Sequence, residues 1–400
     1  MPQPLIYHID VNSAFLSWEA AELLRQDPDA PDIRSFPSVI GGSEKTRHGI
    51  VLAKSPSAAA LGVCTGEPLA QARRKCPDLK IYAPHYSIYV ERSRQFMALL
   101  KEYAPSVDTY SIDEAFCDMT GTSSLYGNPV DFAHRLKDEI HTRLGFTVNI
   151  GISSNRLLAK TASDFEKPDK IHTLYEEEIP NKMWTLPVSD LYMVGRRSLP
   201  KLEKMGIKTI GDLAGTNQNT LIKKFGKFGK MIWEYANGID NNPVTVNNDK
   251  PKGIGNSLTL PQDVANIEKL EETLLALTEQ VAYRLRKQEL LANVVNVQIK
   301  TNDFKTFSHQ RKLDEATDST KYLYKEAKKL LETLYQKSIN KQIRLIGVRV
   351  DNLEEKEQMQ ISLFNQTDTE KEKQRKVDKA VDAIKEKFGY EMITRAGKMK

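Results

Sequence analysis

Asp113 and Glu114 are adjacent carboxylates set among β-forming residues, with Val107, Tyr110 and Ile112 before them and Phe116 after. The pattern predicts a strand-turn-strand hairpin with both acids at its tip. Neighbouring side chains on a strand point to opposite faces, so the pair can converge on one ion only at a turn or a distorted strand end. Two anions that close repel unless a cation or a proton lies between them. Taken alone, the pair also reads as a solvated acidic turn. A third acid, Asp10, follows the apolar run Leu5-Ile6-Tyr7-His8-Ile9. A carboxylate at the end of a buried strand is costly unless it binds something, and capping of the helix that follows is the alternative. Three carboxylates on neighbouring strands offer hard oxygen ligands that suit Mg2+ and can hold two ions. Two such ions would activate a hydroxyl and neutralise a leaving pyrophosphate, which is the chemistry of phosphoryl or nucleotidyl transfer.

Several elements must position these acids. A buried strand over Leu5–Val11 is followed by Asn12-Ser13, a helix-capping pair, and a helix through about Leu24. Residues 36–84, rich in Gly, Pro and small side chains, predict an insertion of short strands and helices. Helix resumes over 86–104, then come the acidic hairpin, a helix over 129–144 and a strand over 147–152. That order suits a mixed sheet with helices on one face. Ser154–Lys160 starts another helix, with Glu166-Lys167-Pro168 near its end.

From about 186 the chain turns to short helices broken by Gly, and Arg196–Lys230 holds nine Lys or Arg against two acids. Met193-Val194-Gly195 followed by Lys201–Ile207 resembles a helix-hairpin-helix, whose turn presents backbone N–H groups to a phosphate, although Met stands where the first Gly belongs. Residues 239–256, Asn-rich with Pro and Gly, read as a linker. A β-α-β-β-α-β pattern follows over about 257–350, and its outward-facing residues are expected to include Lys300, Lys305, Arg311, Lys312, Arg344 and Arg349. A basic face of that kind can lie along a duplex backbone. The tail from 351 is charged, first without structure and then helical over about Lys376–Phe388.

Composition sets the outer bounds. Four hundred residues are too many for one core. No apolar run approaches the ~20 residues of a membrane span, and no secretory pattern opens the chain. Cys64, Cys76 and Cys117 lack metal-ligand spacing, which fits a reducing cytosol without zinc. Residues 1–180 carry 19 Lys and Arg against 24 Asp and Glu, and residues 181–400 carry 39 against 29. An acidic half able to hold divalent metal thus precedes a basic half able to track a polyanion.

Ile9-Asp10-Val11-Asn12-Ser13-Ala14-Phe15, Tyr110-Ser111-Ile112-Asp113-Glu114-Ala115-Phe116, Gly151-Ile152-Ser153-Ser154-Asn155 and Lys167-Pro168 together resemble the Y-family translesion DNA polymerases, near the bacterial DNA polymerase IV and UmuC branches. The resemblance covers about residues 5–350 and implies an α+β multidomain right hand. Its parts would be a mixed-sheet palm (1–35 and 85–180), small fingers (36–84), a helix-hairpin-helix thumb (181–240), a linker (241–256), a β-α-β-β-α-β little finger (257–352) and a tail (353–400). It implies that Asp113 and Glu114 are catalytic and bind two Mg2+ with Asp10 and the Val11 carbonyl. Phe15 would be the steric gate against a ribose hydroxyl, and Ala14, Phe15 and Lys167 would line the nucleotide, with Lys160 structural. Gly195, Arg196, Lys300, Lys305, Arg311, Arg344 and Arg349 would contact primer–template DNA.

The family's fingers usually clamp the triphosphate with a polar and a basic side chain, whereas Pro56 and Ala59 stand at those positions here. Lys54 or Arg47 could compensate. Ala58, Ala59 and Ala60 would form a small roof that presses little on the nascent base pair, and no editing motif is present. Gln360-Ile361-Ser362-Leu363-Phe364 resembles the bacterial sliding-clamp peptide, with Gln360, Leu363 and Phe364 as anchors. The implied protein is a cytoplasmic monomer, at the nucleoid when engaged, that extends primers with deoxynucleoside triphosphates and bypasses damaged bases. A non-catalytic DNA- and clamp-binding accessory and a palm-type nucleotidyl cyclase are the alternatives.

Overall fold

The computed structural model describes residues 3–43, 49–245, 251–337, 341–356 and 369–389, with side chains of the last stretch described from residue 373. The chain forms two compact units, the first of residues 3–42 and 49–245 and the second from 251 onward. The first begins with β1 (Ile6–Val11) and α1 (Ala14–Gln26). A small subregion follows, made of β2 (Ser38–Gly41), β3 (Val51–Lys54), α2 (Pro56–Ala60), α3 (Leu69–Lys75) and β4 (Lys80–Tyr82). Its sheet, ordered β3-β2-β4, closes over its own core of Val39, Val51, Ala58, Val63, Leu69 and Ala72. Then come α4 (Tyr86–Tyr103), β5 (Ser106–Thr109), β6 (Glu114–Asp118), α5 (Ser123–Tyr126), α6 (Pro129–Leu144), β7 (Val148–Ser153), α7 (Arg156–Ser163) and β8 (Ile171–Thr173).

The main sheet runs β5-β6-β1-β7-β8, antiparallel except for the parallel β7–β8 pair, so it is mixed as expected. The period of two along β1 sorts its residues. Tyr7, Ile9 and Val11 enter the large core with Phe96, Leu100, Phe132, Leu136 and Ile140 of α4 and α6. His8 and Asp10 therefore face the other side, and that side is covered too. Helix α7 lies against it so closely that a Cβ built on Gly151 of β7 would stand 1.9 Å from the Ala159 carbonyl oxygen. Helices on one face only is thus corrected to helices on both: without a side chain at 151 the α7 backbone can settle onto the strand. Ser163 and Ala159 of α7 meet His8, Ile6 and Phe116 there.

The expected capping pair is also corrected. Ser13 takes a left-handed backbone (φ 46°) and its side chain caps nothing. Asn12 spans the neighbouring segments instead: it donates to Asn149 Oδ1 (3.0 Å) and accepts from Thr147 Oγ1 (3.0 Å) and the Asp169 amide (2.9 Å). These bonds tie the end of β1 to the loop carrying Lys167.

Short helices complete the first unit: α8 (Ile179–Lys182), α9 (Leu199–Glu203), α10 (Ile210–Gly215), α11 (Gln218–Phe225) and α12 (Lys227–Ala236). Leu202, Ile207, Ile210, Leu213, Leu221 and Ile232 are their shared core.

The second unit comprises β9 (Gly253–Val264), α13 (Ile267–Lys287), β10 (Leu290–Thr301), β11 (Thr306–Thr317), α14 (Thr320–Lys337), β12 (Ile343–Glu355) and α15 (Thr369–Phe388). The β-α-β-β-α-β order stands, in an antiparallel sheet ordered β11-β10-β12-β9. The linker is shorter than the sequence suggests, because β9 already pairs at Gly253. Glycine there answers to crowding rather than flexibility: a Cβ at 253 would lie 2.1 Å from Asp351 Oδ1. The terminal helix is longer than expected, reaching back to Thr369. Among the described residues no helix is long and apolar enough to cross a membrane.

Candidate active site

The β1–β6 register places Asp10 directly opposite Glu114, so both carboxylates rise from one sheet face at adjacent-strand distance. Asp113 closes the turn that leads into β6. Its carbonyl accepts the Val11 amide (3.0 Å), and its Oδ1 accepts from Ser111 Oγ (2.6 Å). Tyr110 and Ser111 both donate their amides to the Glu114 carbonyl at 3.1 Å, and Ser93 Oγ donates to the Ile112 carbonyl. The hairpin tip is thereby fixed from inside and from α4. The three acids predicted from sequence are brought together at one end of the sheet.

Each outer acid carries a cation. Lys167 Nζ lies 2.9 Å from Asp10 Oδ1 and 2.9 Å from Asp164 Oδ1. Lys160 Nζ lies 3.0 Å from Glu114 Oε2. Burial raises the Asp10 carboxyl to about 6; Lys167 pulls the other way, while Glu114 and Asp113 push it further up. Burial also works to raise Glu114, but His8 and Lys160 outweigh it and hold the group at about 2. Burial depresses His8 to about 4, so its ring is neutral. Its Nδ1 meets Ser163 Oγ (2.7 Å), which itself donates to the Lys160 carbonyl. Nε2, on the other side of the ring, lies 3.4 Å from Glu114 Oε2.

Among the described residues, no three carboxylate, imidazole or thiol side chains converge tightly enough to enclose an ion as they stand. The chemistry of the site nevertheless fits a hard divalent cation. Asp10 and Asp113 are oxygen donors, Glu114 is held ionised, Asp10 is poorly solvated, and the positive charge the group needs is supplied by two lysine ammoniums.

Phe15 is half-buried and stacks on Tyr89, with centroids 4.4 Å apart and planes 7° from parallel, while Tyr86 and Trp18 meet it at wider angles. Tyr89 is in turn held by its hydroxyl bond to buried Glu19 (2.7 Å). Phe15 is therefore a braced, accessible ring and not a core residue. The Ala14 side chain is buried in the main core, so only its backbone could face a nucleotide.

In the small subregion Pro56 and Ala60 are exposed and Ala59 is half-buried, but Ala58 is fully buried within that subregion's core. A roof of three alanines is thus corrected to Ala59 and Ala60. Lys54 donates to the Val63 carbonyl (2.8 Å), which makes it a brace of that subregion. Arg47 lies outside the described residues, as do Gln360, Leu363 and Phe364.

Met193 does take the left-handed backbone (φ 74°) expected of the first Gly in the helix-hairpin-helix turn. The Gly195 amide meets Ser198 Oγ at 3.1 Å, and Arg196 is exposed. In the second unit Lys300, Lys312 and Arg349 are on the sheet face away from the helices, as expected from their register. Arg311 is not. It pairs across from core residue Val295 and reaches Glu326 on α14 (3.5 Å), so the alternation of β11 turns it to the helix side. Lys305 lies in the β10–β11 turn near Asp303, and Arg344 sits at the β12 irregularity over the Phe304 ring. Both belong to the end of the sheet rather than its open face.

Sequence reading missed His8, Ser111 and the role of Lys160. The signal for His8 was available, since it lies two residues before Asp10 and shares its face. Lys160 needed the approach of α7, which only the fold supplies.

Comparison with known proteins agrees with this geometry. Residues 9–164 match the impB/mucB/samB family and residues 251–363 its C-terminal domain, while residues 189–240 match the thumb domain of DNA polymerase-iota. A protein of Clostridium acetobutylicum named DNA polymerase IV is 46% identical over 394 residues, spanning 98% of this chain and 97% of that one. DNA polymerase IV 2 of Bacillus subtilis is 35% identical, spanning 100% and 95%. Among solved structures, a Y-family DNA polymerase chimera of Dbh and Dpo4 superposes with a TM-score of 0.76 at 24% identity, covering 88% of this chain and 99% of that one. DinB from Sulfolobus solfataricus gives 0.57, also at 24%, covering 87% and 98%.

Proposed function

This chain belongs to the Y family of DNA polymerases, in the bacterial DNA polymerase IV branch, and on that premise we propose how its residues carry out template-directed synthesis past damaged bases. It is a DNA-directed DNA polymerase of the translesion class. The observation that carries the residue assignments is the facing of Asp10 and Glu114 across β1 and β6 with Asp113 in the adjoining turn.

Asp10, Asp113, Glu114 and the Val11 carbonyl hold two Mg2+ ions in this reading. Bound there, the ions supply charge neutralisation on the phosphates and activation of the primer hydroxyl. Ser111 orients Asp113 by donating to its Oδ1, and Lys160 holds Glu114 ionised. Lys167, free to exchange Asp10 for another anion, pairs with the incoming triphosphate. The Phe15 ring, braced by Tyr89, rejects a ribose 2′-hydroxyl by collision. Among the described residues the fingers side presents Pro56, Ala59 and Ala60, and none offers charge to the triphosphate or shape pressure to the base. Weak nucleotide binding and tolerance of misshapen pairs follow.

Gly195 and Arg196 contact the duplex backbone from the thumb turn, and Lys300, Lys312 and Arg349 from the open sheet face, with Lys305 and Arg344 at its end. In this reading palm, fingers, thumb and little finger keep the boundaries expected from sequence, except that the linker ends where β9 begins to pair at Gly253. Gln360, Leu363 and Phe364 bind the sliding clamp, and the protein works as a cytoplasmic monomer that joins the nucleoid when engaged.

The test is primer extension past a defined lesion, with and without sliding clamp. Wild type should cross the lesion and lengthen its products with clamp; Leu363→Ala with Phe364→Ala should keep the first ability and lose the second. Stalling at every lesion, or an unchanged clamp response in the double variant, would overturn the respective part.

A further inference from the structure

The turn that fixes the catalytic acids is bonded directly to the segment that matches a thumb domain. Tyr110 opens the Tyr110–Glu114 turn, and its hydroxyl hydrogen-bonds the hydroxyl of Tyr192. Its ring meets Phe116 of β6 edge-on at 5.5 Å, and the Lys160 ammonium, which holds Glu114, lies 5.4 Å from the ring centroid. Tyr192, for its part, stacks on Tyr235 of α12 (6.1 Å, 25°) and immediately precedes the left-handed Met193 and the Gly195 turn. Along this line every neighbour is in contact: Gly195 turn, Tyr192, Tyr110, then Ser111 and Lys160, which orient Asp113 and Glu114. A second tie runs from the same sheet to the stretch just after α12, since Arg156 bonds Asp108 of β5 and the Pro243 carbonyl and lies over Phe116.

Resting on the catalytic reading above, we propose that Tyr110 and Tyr192 are positioning residues whose hydroxyl pair couples the seating of duplex DNA at the Gly195 turn to the alignment of Asp113 and Glu114. Neither tyrosine touches the reacting atoms. A shift of the turn moves the Tyr192 hydroxyl, and Tyr110 carries that movement to Lys160 and Ser111. The pair thus serves the rate of transfer rather than the affinity for either substrate. Tyr110 is 41% exposed, so water can replace its partner and the effect is moderate.

The experiment is single-turnover nucleotide incorporation by the full chain, comparing wild type, Tyr110→Phe, Tyr192→Phe and the double variant. Phe keeps both rings and removes only the hydroxyls. Each single variant should lower the maximal rate about 3- to 10-fold, the range of one neutral hydrogen bond, while nucleotide and primer–template affinities hold within about twofold. Because one bond is shared, the double variant should be no slower than the slower single. Multiplying effects, an unchanged rate, or a loss confined to DNA affinity would overturn the coupling, and a melting temperature equal to wild type excludes misfolding as the cause of slower transfer. Asp113→Ala run alongside separates the two readings: if it is silent and the tyrosine variants are normal, the coupling alone fails, whereas extension by Asp113→Ala would remove the catalytic reading and the coupling together.

Discussion

Replacing Lys160 by Ala probes the electrostatics of the site without touching an acid. The Lys160–Glu114 pair is 3.0 Å long, with 14% and 20% of the two side chains exposed. Exposed pairs contribute up to about 1 kcal/mol, while breaking a buried pair costs about 3–5, because a desolvated charge is left behind. A pair between these limits should cost about 2 kcal/mol, or about 4–8 °C in melting temperature for a unit of this size. The folded-state pKa of Glu114, about 2, lies below its ordinary value. Its contribution is therefore complete at neutral pH, starts to fall below the ordinary value of 4.5 and is lost as pH falls through about 2, so a neutral measurement reads the whole effect. Divalent metal supplies the charge that the variant lacks. Scanning calorimetry in chelator should thus show the full loss, and saturating MgCl2 should raise the variant more than wild type and recover much of the gap. Equal losses with and without Mg2+ would refute the reasoning, because Lys160 would then be a structural brace and Glu114 no ligand.

Phe15→Ala should raise incorporation of ribonucleotides relative to deoxynucleotides about 10- to 100-fold, the range one group in a pocket can discriminate, as measured by competitive primer extension. An unchanged ratio would remove the gate from this ring. Ala59→Arg should lower the nucleotide KM about 10-fold, since one charge-assisted bond contributes about 1.5 kcal/mol or more and residue 59 is accessible enough to take the longer side chain. Arg286 joins α13 to Asp382 of α15 through two bonds, 2.5 and 2.8 Å, and lies 3.7 Å from buried Asp378. Arg286→Ala should cost about 3 kcal/mol and expose residues 373–388 to hydrogen exchange; unchanged protection there would show that the helix is held by other contacts.

Much of this was legible before any coordinates. The period of two through Tyr7, Ile9 and Val11 pointed to a buried strand, and the order of strands and helices pointed to the main sheet and to the sheet of the second unit. Asp10, Asp113 and Glu114 were legible as a set because acids beside apolar strand residues are costly without a function. What escaped depended on approach between distant segments. The absence of a Cβ at 151 says nothing of α7 until α7 lies there, and the same is true of Lys160 beside Glu114. Arg311 shows a different limit. Alternation along β11 was visible, but the register against β10, which decides the face, was not. Glycines 253 and 255 read as linker and proved to be strand, because glycine marks close backbone approach as well as freedom.

The central claim is that Asp10, Asp113 and Glu114 together hold the two metal ions. It is tested most directly by counting Mn2+ bound to the protein–DNA complex with a non-hydrolysable nucleotide, using electron paramagnetic resonance. Wild type should bind two ions and Asp113→Asn fewer, with DNA affinity retained. The same count in both would contradict the account.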